Sequence, residues 1–168
     1  YILRTDRDSL VLYDIIRDAM FICKEKLHLN VWRPEDVASH RNLRLFWCVY
    51  LLERMICVAV GRPYTITEPD IDLPLIDEVS LNTRPMTDAK RQHRGVHFIN
   101  QSLRLRRIES RFVEKLRILP EGQDKKQATP EQLLLVKNFF HELEIWRANC
   151  SRNSVRKFEN ETLKLYYY

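Results

Sequence analysis

An uninterrupted apolar segment, residues 43–60, constrains this chain more than any other part of its sequence. It contains no glycine and no proline, and the positions that interrupt its apolar character are Arg44, Cys48, Glu53, Arg54 and Cys57. A helix is favoured because nothing in the segment breaks helical backbone geometry, and a helix that is apolar nearly all round is buried nearly all round. We therefore expect a central buried helix with a core formed by Leu45, Phe46, Trp47, Tyr50, Leu51, Leu52 and Met55.

The character of the sequence changes directly after this segment. Gly61 suits a left-handed helix cap, and Pro63 cannot continue a helix because it lacks a backbone N–H. Pro69 and Pro74 flank the sequence Asp-Ile-Asp-Leu at residues 70–73. We expect a long proline-rich loop here, with acidic side chains placed beside apolar ones.

Four sequence blocks, two in the apolar segment and two after it, resemble those of a known family. They are Leu45-Phe46-Trp47, Leu51-Leu52-Glu53-Arg54, Gly61-Arg62-Pro63 and Asp70-Ile71-Asp72-Leu73-Pro74. In order and spacing they resemble the regulatory domain, also called the middle homology region, of fungal zinc-cluster transcription factors. Glu53 stands where that family commonly has an aspartate.

The resemblance implies a helical regulatory domain of a nuclear protein that controls DNA-templated transcription. It implies that DNA is bound by a binuclear zinc cluster in a module outside this segment, since that cluster needs six clustered cysteines and this chain has four scattered ones. It also implies regulation through ligand sensing, autoinhibition or partner docking. The contacts it leaves open are a small-molecule effector, a protein partner and a second copy in a homodimer. We expect no cofactor in the segment itself.

The composition and periodicity favour an all-α fold. Only three glycines occur in 168 residues, which is few for a protein rich in sheets or loops. Apolar residues at three- and four-residue steps predict helices at about 8–27, 34–60 and 87–119, a fourth from 130 and a fifth from about 155. Thr129 and Gln132 predict a capping box for the fourth helix, which should bury Val136, Phe140, Leu143 and Trp146. We expect a multi-helix bundle in which residues 1–168 are part of one helical regulatory domain, truncated at both ends.

Charge is distributed unevenly along a chain whose net charge is +5. Residues 84–117 hold ten Lys/Arg and three Asp/Glu, whereas residues 61–83 hold five acids and only Arg62. The basic third helix should present a face formed by Arg104, Arg107 and Arg111. Such a face attracts nucleic acid or an acidic partner, although a solvated helix surface is the more common meaning of the pattern.

Metal sites and membrane spans are not predicted. Cys23, Cys48, Cys57 and Cys150 lack the close spacing of a zinc site. His93 and His97 lie one helical turn apart, but no neighbouring acid or cysteine completes a ligand set. Residues 45–60 are too short for a membrane span and carry two charges, Glu53 and Arg54.

The loop after the central helix provides the candidate site. An arginine, Arg62 or Arg54, is expected to pin the loop to the end of the helix by pairing with Asp70 or Asp72. The predicted structural clamp comprises Arg54, Gly61, Arg62, Pro63, Asp70 and Asp72.

Two other function classes remain as alternatives. In one, Asp70 and Asp72 act as the paired carboxylates of a helical enzyme. In the other, the chain is a general helical scaffold that binds a protein through the basic third helix. We favour a regulatory domain that is not an enzyme.

Overall fold

The structure, a computed structural model, describes residues 7–76, 89–119 and 128–153, with side chains described at 10–76, 96–119 and 128–150. These residues form four α-helices, which are α1 (Arg7–Phe21), α2 (Ser39–Val60), α3 (Ala89–Ile118) and α4 (Pro130–Asn153). A π-helical segment (Ile22–Lys26) continues α1, and a 3-10 turn (Glu68–Asp70) lies in the loop after α2. The all-α prediction is confirmed. The predicted fifth helix from residue 155 lies outside the described residues.

The start of α2 differs from the prediction, since the helix begins at Ser39 and not at Pro34. The reason lies in Asp36, whose side chain accepts a hydrogen bond from the backbone N–H of Ala38 at 2.9 Å. The Asp36 carbonyl also accepts the N–H of Ser39 at 2.9 Å. Aspartate side chains that bind nearby backbone groups offer the chain an alternative to the helix. Residues 34–38 therefore form turns, and the helix starts after them.

The chain divides into two compact units, Tyr1–Arg84 and Pro85–Tyr168. In the first unit α1 packs against α2. Three aromatic side chains of α2, Phe46, Trp47 and Tyr50, are fully buried and contact one another with ring centroids 5.3–6.4 Å apart. The core also includes Ile16, Met20, Cys23, Leu29, Leu43, Ile56, Cys57, Ile66, Ile71, Leu75 and Ile76.

The central helix is buried on one side only, which corrects the expectation of burial all round. Leu45, Leu52 and Met55 were predicted to lie in the core, yet they are 46%, 47% and 48% exposed. Within the described part of the chain, α1 and the loop after α2 cover the opposite side of the helix. The outer side of α2 therefore presents apolar side chains at its surface.

In the second unit α3 packs against α4. Gln101 contacts Trp146 and Phe112 contacts Phe139, so the two helices run antiparallel. The buried cluster comprises Leu105, Leu143, Trp146 and Cys150. Burial of Leu143 and Trp146 is confirmed, whereas the prediction for Phe140 was wrong, since it is exposed and its neighbour Phe139 stacks on Phe112 with centroids 4.3 Å apart.

The capping box at the start of α4 is confirmed. The backbone N–H of Thr129 donates to Gln132 Oε1 at 2.9 Å, and the N–H of Gln132 donates to Thr129 Oγ1 at 3.2 Å. Two N–H groups that a helix start leaves unsatisfied are thereby paired.

Candidate functional site

The loop after α2 starts with a sharp helix end at Gly61. This residue has a φ of +67°, in the left-handed region that side chains with a Cβ adopt only with strain. The N–H of Arg62 donates to the carbonyl of Cys57 at 2.9 Å, which closes the last turn. The predicted left-handed cap is confirmed, and it sends the chain back along α2.

Arg54 of α2 lies at the centre of a buried network that holds this loop. Its side chain is only 1% exposed. Its Nη1 donates to Glu53 Oε2 at 2.7 Å, and its Nη2 donates to the carbonyl of Ile66 at 2.8 Å. Nη2 also lies 3.4 Å from Glu68 Oε1. One guanidinium thus contacts its own helix, the backbone of the loop and an acid at the start of the 3-10 turn.

The two carboxylates of this network make further contacts. Glu53 Oε1 accepts the backbone N–H of Thr65 at 2.6 Å, and Glu68 Oε1 accepts the hydroxyl of Tyr50 at 2.5 Å. The Glu53 and Glu68 side chains are 0% and 6% exposed. Buried charges are tolerated only when they are paired and hydrogen-bonded, and here each carboxylate binds both Arg54 and a neutral donor.

Two aromatic rings complete the surroundings of the guanidinium. The Arg54 Cζ atom lies 4.3 Å from the ring centroid of Tyr50 and 4.1 Å from that of Tyr64. Both distances are within the range of a cation–π contact. Burial lowers the pKa of Arg54, but Tyr50, Glu53 and Glu68 outweigh that effect and raise the pKa above its ordinary value, so the group stays charged.

The rest of the loop is held by contacts to other parts of the first unit. Trp47 Nε1 donates to the carbonyl of Pro74 at 3.0 Å. Asp72 forms a parallel bridge with Val31, in which its N–H donates to the carbonyl of Asn30 at 2.9 Å. The loop is therefore bound to α2 along much of its length and also to the segment before that helix.

Asp70 and Asp72 have partners that differ from the predicted ones. Lys24 Nζ donates to Asp70 Oδ2 at 3.2 Å, and this hydrogen bond holds the pKa of Asp70 below its usual range. Asp72 is exposed and is held through its backbone. Arg54 pairs instead with Glu53 and Glu68, because the 3-10 turn places Glu68 inside the core and Asp70 at the surface.

The other members of the predicted clamp lie at the start of the loop. Arg62 is exposed and forms no ion pair among the described residues, and its contribution is the backbone bond to Cys57. The carbonyl of Pro63 accepts the hydroxyl of Tyr13 at 3.4 Å and the thiol of Cys57 at 3.5 Å. Arg54 is therefore the arginine that holds the loop to α2.

Sequence reasoning missed Glu53, Glu68, Tyr50 and Tyr64 as members of this site. The Glu68-Pro69 pair is compatible with the start of the 3-10 turn seen in the structure, but this local pattern does not indicate that Glu68 is buried against Arg54. Apolar periodicity could not have separated Tyr50 from the other core aromatics, because its ring is buried in the core like theirs, although it also contacts Arg54 and its hydroxyl binds Glu68.

The predicted basic face lies on α3, and part of it contacts the neighbouring helix. Arg111 Nη2 lies 2.6 Å from Glu142 Oε2 of α4. Arg104 is close enough to Cys150 that its charge acts on the pKa of the thiol, although burial dominates and raises that pKa to about 11. Arg107, partly buried, also lies on α3. The basic residues thus serve in part to join α3 to α4.

Small-molecule and metal sites find little support in the described residues. A cavity beside Leu29, Trp32 and Leu73 has a volume of about 40 Å³, which accommodates water but is far below the roughly 300–1,000 Å³ of ligand pockets. The described side chains contain no group of three His, Cys, Asp or Glu able to hold a metal ion. None of the described helices combines the length and the apolar character needed to cross a membrane.

Comparison with known proteins identifies the family. Residues 1–148 match the family described as the fungal specific transcription factor domain. The chain belongs to this family. It is also 58% identical over 170 residues to a Saccharomyces cerevisiae protein described as an uncharacterized transcriptional regulatory protein.

The yeast relative is much longer than the segment that it shares with this chain. The match covers 100% of this chain and 13% of the relative. No solved structure matches the chain. The family blocks read from the sequence include Arg54 and the loop that it holds, so the buried network lies within the part of the chain that carries the resemblance.

Proposed function

We propose that this chain is a regulatory domain of a fungal transcription factor and that it controls transcription by docking a protein segment. Family membership and the regulatory relative support the transcriptional role. The observation that carries the docking role is the Arg54 network, which binds α2 and residues 61–76 into one unit. A helix fixed in this way presents a surface of constant shape to a partner.

Catalysis by the Asp70 and Asp72 pair has less support. A general acid works best when its pKa lies near the operating pH, whereas the hydrogen bond from Lys24 lowers the pKa of Asp70. Asp70 is therefore ionised at neutral pH and cannot donate a proton there. Sensing of a metabolite also has less support than docking in the first unit, because the cavity beside Trp32 is small.

DNA binding belongs, in this proposal, to a module outside residues 1–168. The zinc cluster expected for that module would hold the metal, and this segment would act on the outcome of binding. The protein would act in the nucleus, where its target genes are.

In-frame removal of residues 1–168 from the full-length protein tests the proposal. Transcripts and chromatin occupancy would be measured in the same cells. We expect transcript levels to change at genes whose occupancy persists, because the segment regulates a DNA-bound protein. Unchanged transcripts would contradict a regulatory role, and loss of DNA binding by the purified deletion protein would assign the segment to the DNA reader.

A further inference from the structure

The outer side of α2 carries an apolar stripe with the spacing of a helix-docking seam. Leu45, Cys48, Leu52, Met55 and Ala59 follow one another at steps of three, four, three and four residues, and all five are exposed. Steps of three and four that alternate place side chains along one narrow line on a helix, as in the seam of a coiled coil. The stripe is continuous over four turns of α2.

The exposed Asp, Glu, Lys and Arg residues within α2 and directly after it are of one sign. Arg41 and Arg44 lie exposed in the first turns of α2, and Arg62 lies exposed two residues after its end. None of the three forms an ion pair with a described residue. The only acid in α2 is Glu53, and its side chain is fully buried in the Arg54 network. The exposed surface of α2 is therefore apolar in the middle and cationic at both ends.

We propose that this surface binds an amphipathic helix whose apolar face is flanked by acidic side chains. The inference rests on the proposed function and specifies the partner class for it. A helix-in-groove contact uses apolar anchors at three- and four-residue steps, and leucines at such steps would pack between Leu45, Leu52 and Met55. Acids at each end of the partner would meet Arg41, Arg44 and Arg62.

The same charge pattern disfavours a second copy of this chain as the occupant. In a parallel arrangement Arg41 and Arg44 would face their own counterparts. In an antiparallel arrangement they would face Arg62 of the other copy. Like charges brought together across an interface weaken association, so the complementary partner is acidic.

A binding measurement with a synthetic helical peptide tests this inference. The probe has leucines at positions i, i+3, i+7 and i+10 with glutamates at both ends, and a second peptide carries lysines in place of the glutamates. Fluorescence anisotropy of the labelled peptides would be followed against the full 168-residue chain. We expect saturable binding of the acidic peptide and at least tenfold weaker binding of the lysine peptide.

Variants of the chain assign the binding to α2. Leu52→Asp should weaken the acidic peptide at least tenfold, because it places a carboxylate in the middle of the apolar stripe. Arg41→Glu with Arg44→Glu should weaken it by about three- to tenfold and reduce its salt dependence. Leu134→Asp makes the same substitution at a 59% exposed leucine of α4. It is the matched control and should leave binding unchanged.

Several outcomes would overturn the inference. They are equal binding of the two peptides, no saturable binding of the acidic peptide, and equal weakening by Leu52→Asp and Leu134→Asp. A dimer seen by sedimentation that Leu52→Asp dissociates would assign the stripe to self-association. Binding to anionic lipid vesicles that requires Leu52, without peptide binding, would assign it to a membrane surface. Each result is independent of the transcript measurement, so the docking site can fail while the regulatory role stands.

Discussion

Substitution of Arg54 should open the loop after α2 more than any other single change in the first unit. Arg54→Ala leaves Glu53 and Glu68 buried with no cation, since their side chains are 0% and 6% exposed. Removing one partner of a buried charge pair costs about 3–5 kcal/mol, which is a large part of the roughly 5–15 kcal/mol that stabilises a typical domain. The carbonyl of Ile66 also loses its donor. We therefore expect residues 61–76 to open far more often in the variant.

Hydrogen exchange measured peptide by peptide in the full chain is the appropriate assay. It reports the free energy of local opening for residues 61–76 separately from the second unit. Arg54→Lys keeps the charge but cannot reach three acceptors in one plane, and loss of one charged hydrogen bond costs about 1.5–3 kcal/mol. Lys24→Ala is the control, because its ion pair with Asp70 is partly exposed and worth at most about 1 kcal/mol.

A double-mutant cycle distinguishes the partners seen in the structure from those predicted from the sequence. Arg54→Ala and Glu68→Gln should be coupled by about 0.5–3 kcal/mol, whereas Arg54→Ala and Asp70→Ala should be additive within about 0.5 kcal/mol. The reasoning would be refuted if the hydrogen-exchange protection of residues 61–76 were the same in Arg54→Ala as in Lys24→Ala. Coupling of Arg54 to Asp70 but not to Glu68 would refute the assignment of partners.

Three further predictions concern acid stability, thiol reactivity and DNA. The pKa of Asp70 is lowered in the folded state, so its pair with Lys24 stabilises the fold above the unfolded pKa of about 3.9, and this stabilisation is lost as pH falls through the folded pKa. In urea unfolding, Asp70→Asn should therefore lower the free energy of unfolding by under about 1 kcal/mol at pH 7 and leave it unchanged well below pH 3.9. An alkylating reagent at pH 8 should modify the exposed Cys48 at once but Cys23, Cys57 and Cys150 only in denaturant, as followed by mass spectrometry. Burial raises the pKa of Cys150 to about 11, so its rapid modification would contradict the packing of α3 on α4. The isolated chain should bind DNA weakly, without sequence preference and with strong salt dependence, and a competition assay that reveals a preferred sequence at physiological salt would show otherwise.

The features that the sequence predicted correctly depend on local chemistry. Gly61 is a left-handed cap because few other residues tolerate that backbone, and the Thr129–Gln132 box forms because both donors lie within one turn. Helix periodicity is likewise a property of neighbouring residues, so the four described helices could be anticipated. The beginning of α2 was misplaced because Asp36 competes with the helix for backbone donors.

The features that the sequence could not predict depend on contacts between distant residues. An apolar pattern all round α2 does not indicate which side α1 and the loop will cover, so Leu45, Leu52 and Met55 were placed in the core. Glu68 and Asp70 are two residues apart and both are acidic. Only the 3-10 turn decides that Glu68 lies inside, bound to Arg54, and Asp70 outside, bound to Lys24.

Nascent transcription in cells whose genomic copy carries Arg54→Ala tests the central claim most directly. Protein abundance and chromatin occupancy would be measured alongside, with Lys24→Ala as the matched control strain. We predict altered nascent transcription at bound genes with occupancy unchanged in the Arg54 strain, and transcription close to the parent in the control. If hydrogen exchange of the purified Arg54→Ala protein shows residues 61–76 to be open while transcription in the Arg54→Ala strain is unaltered, the claim that this unit regulates transcription is contradicted.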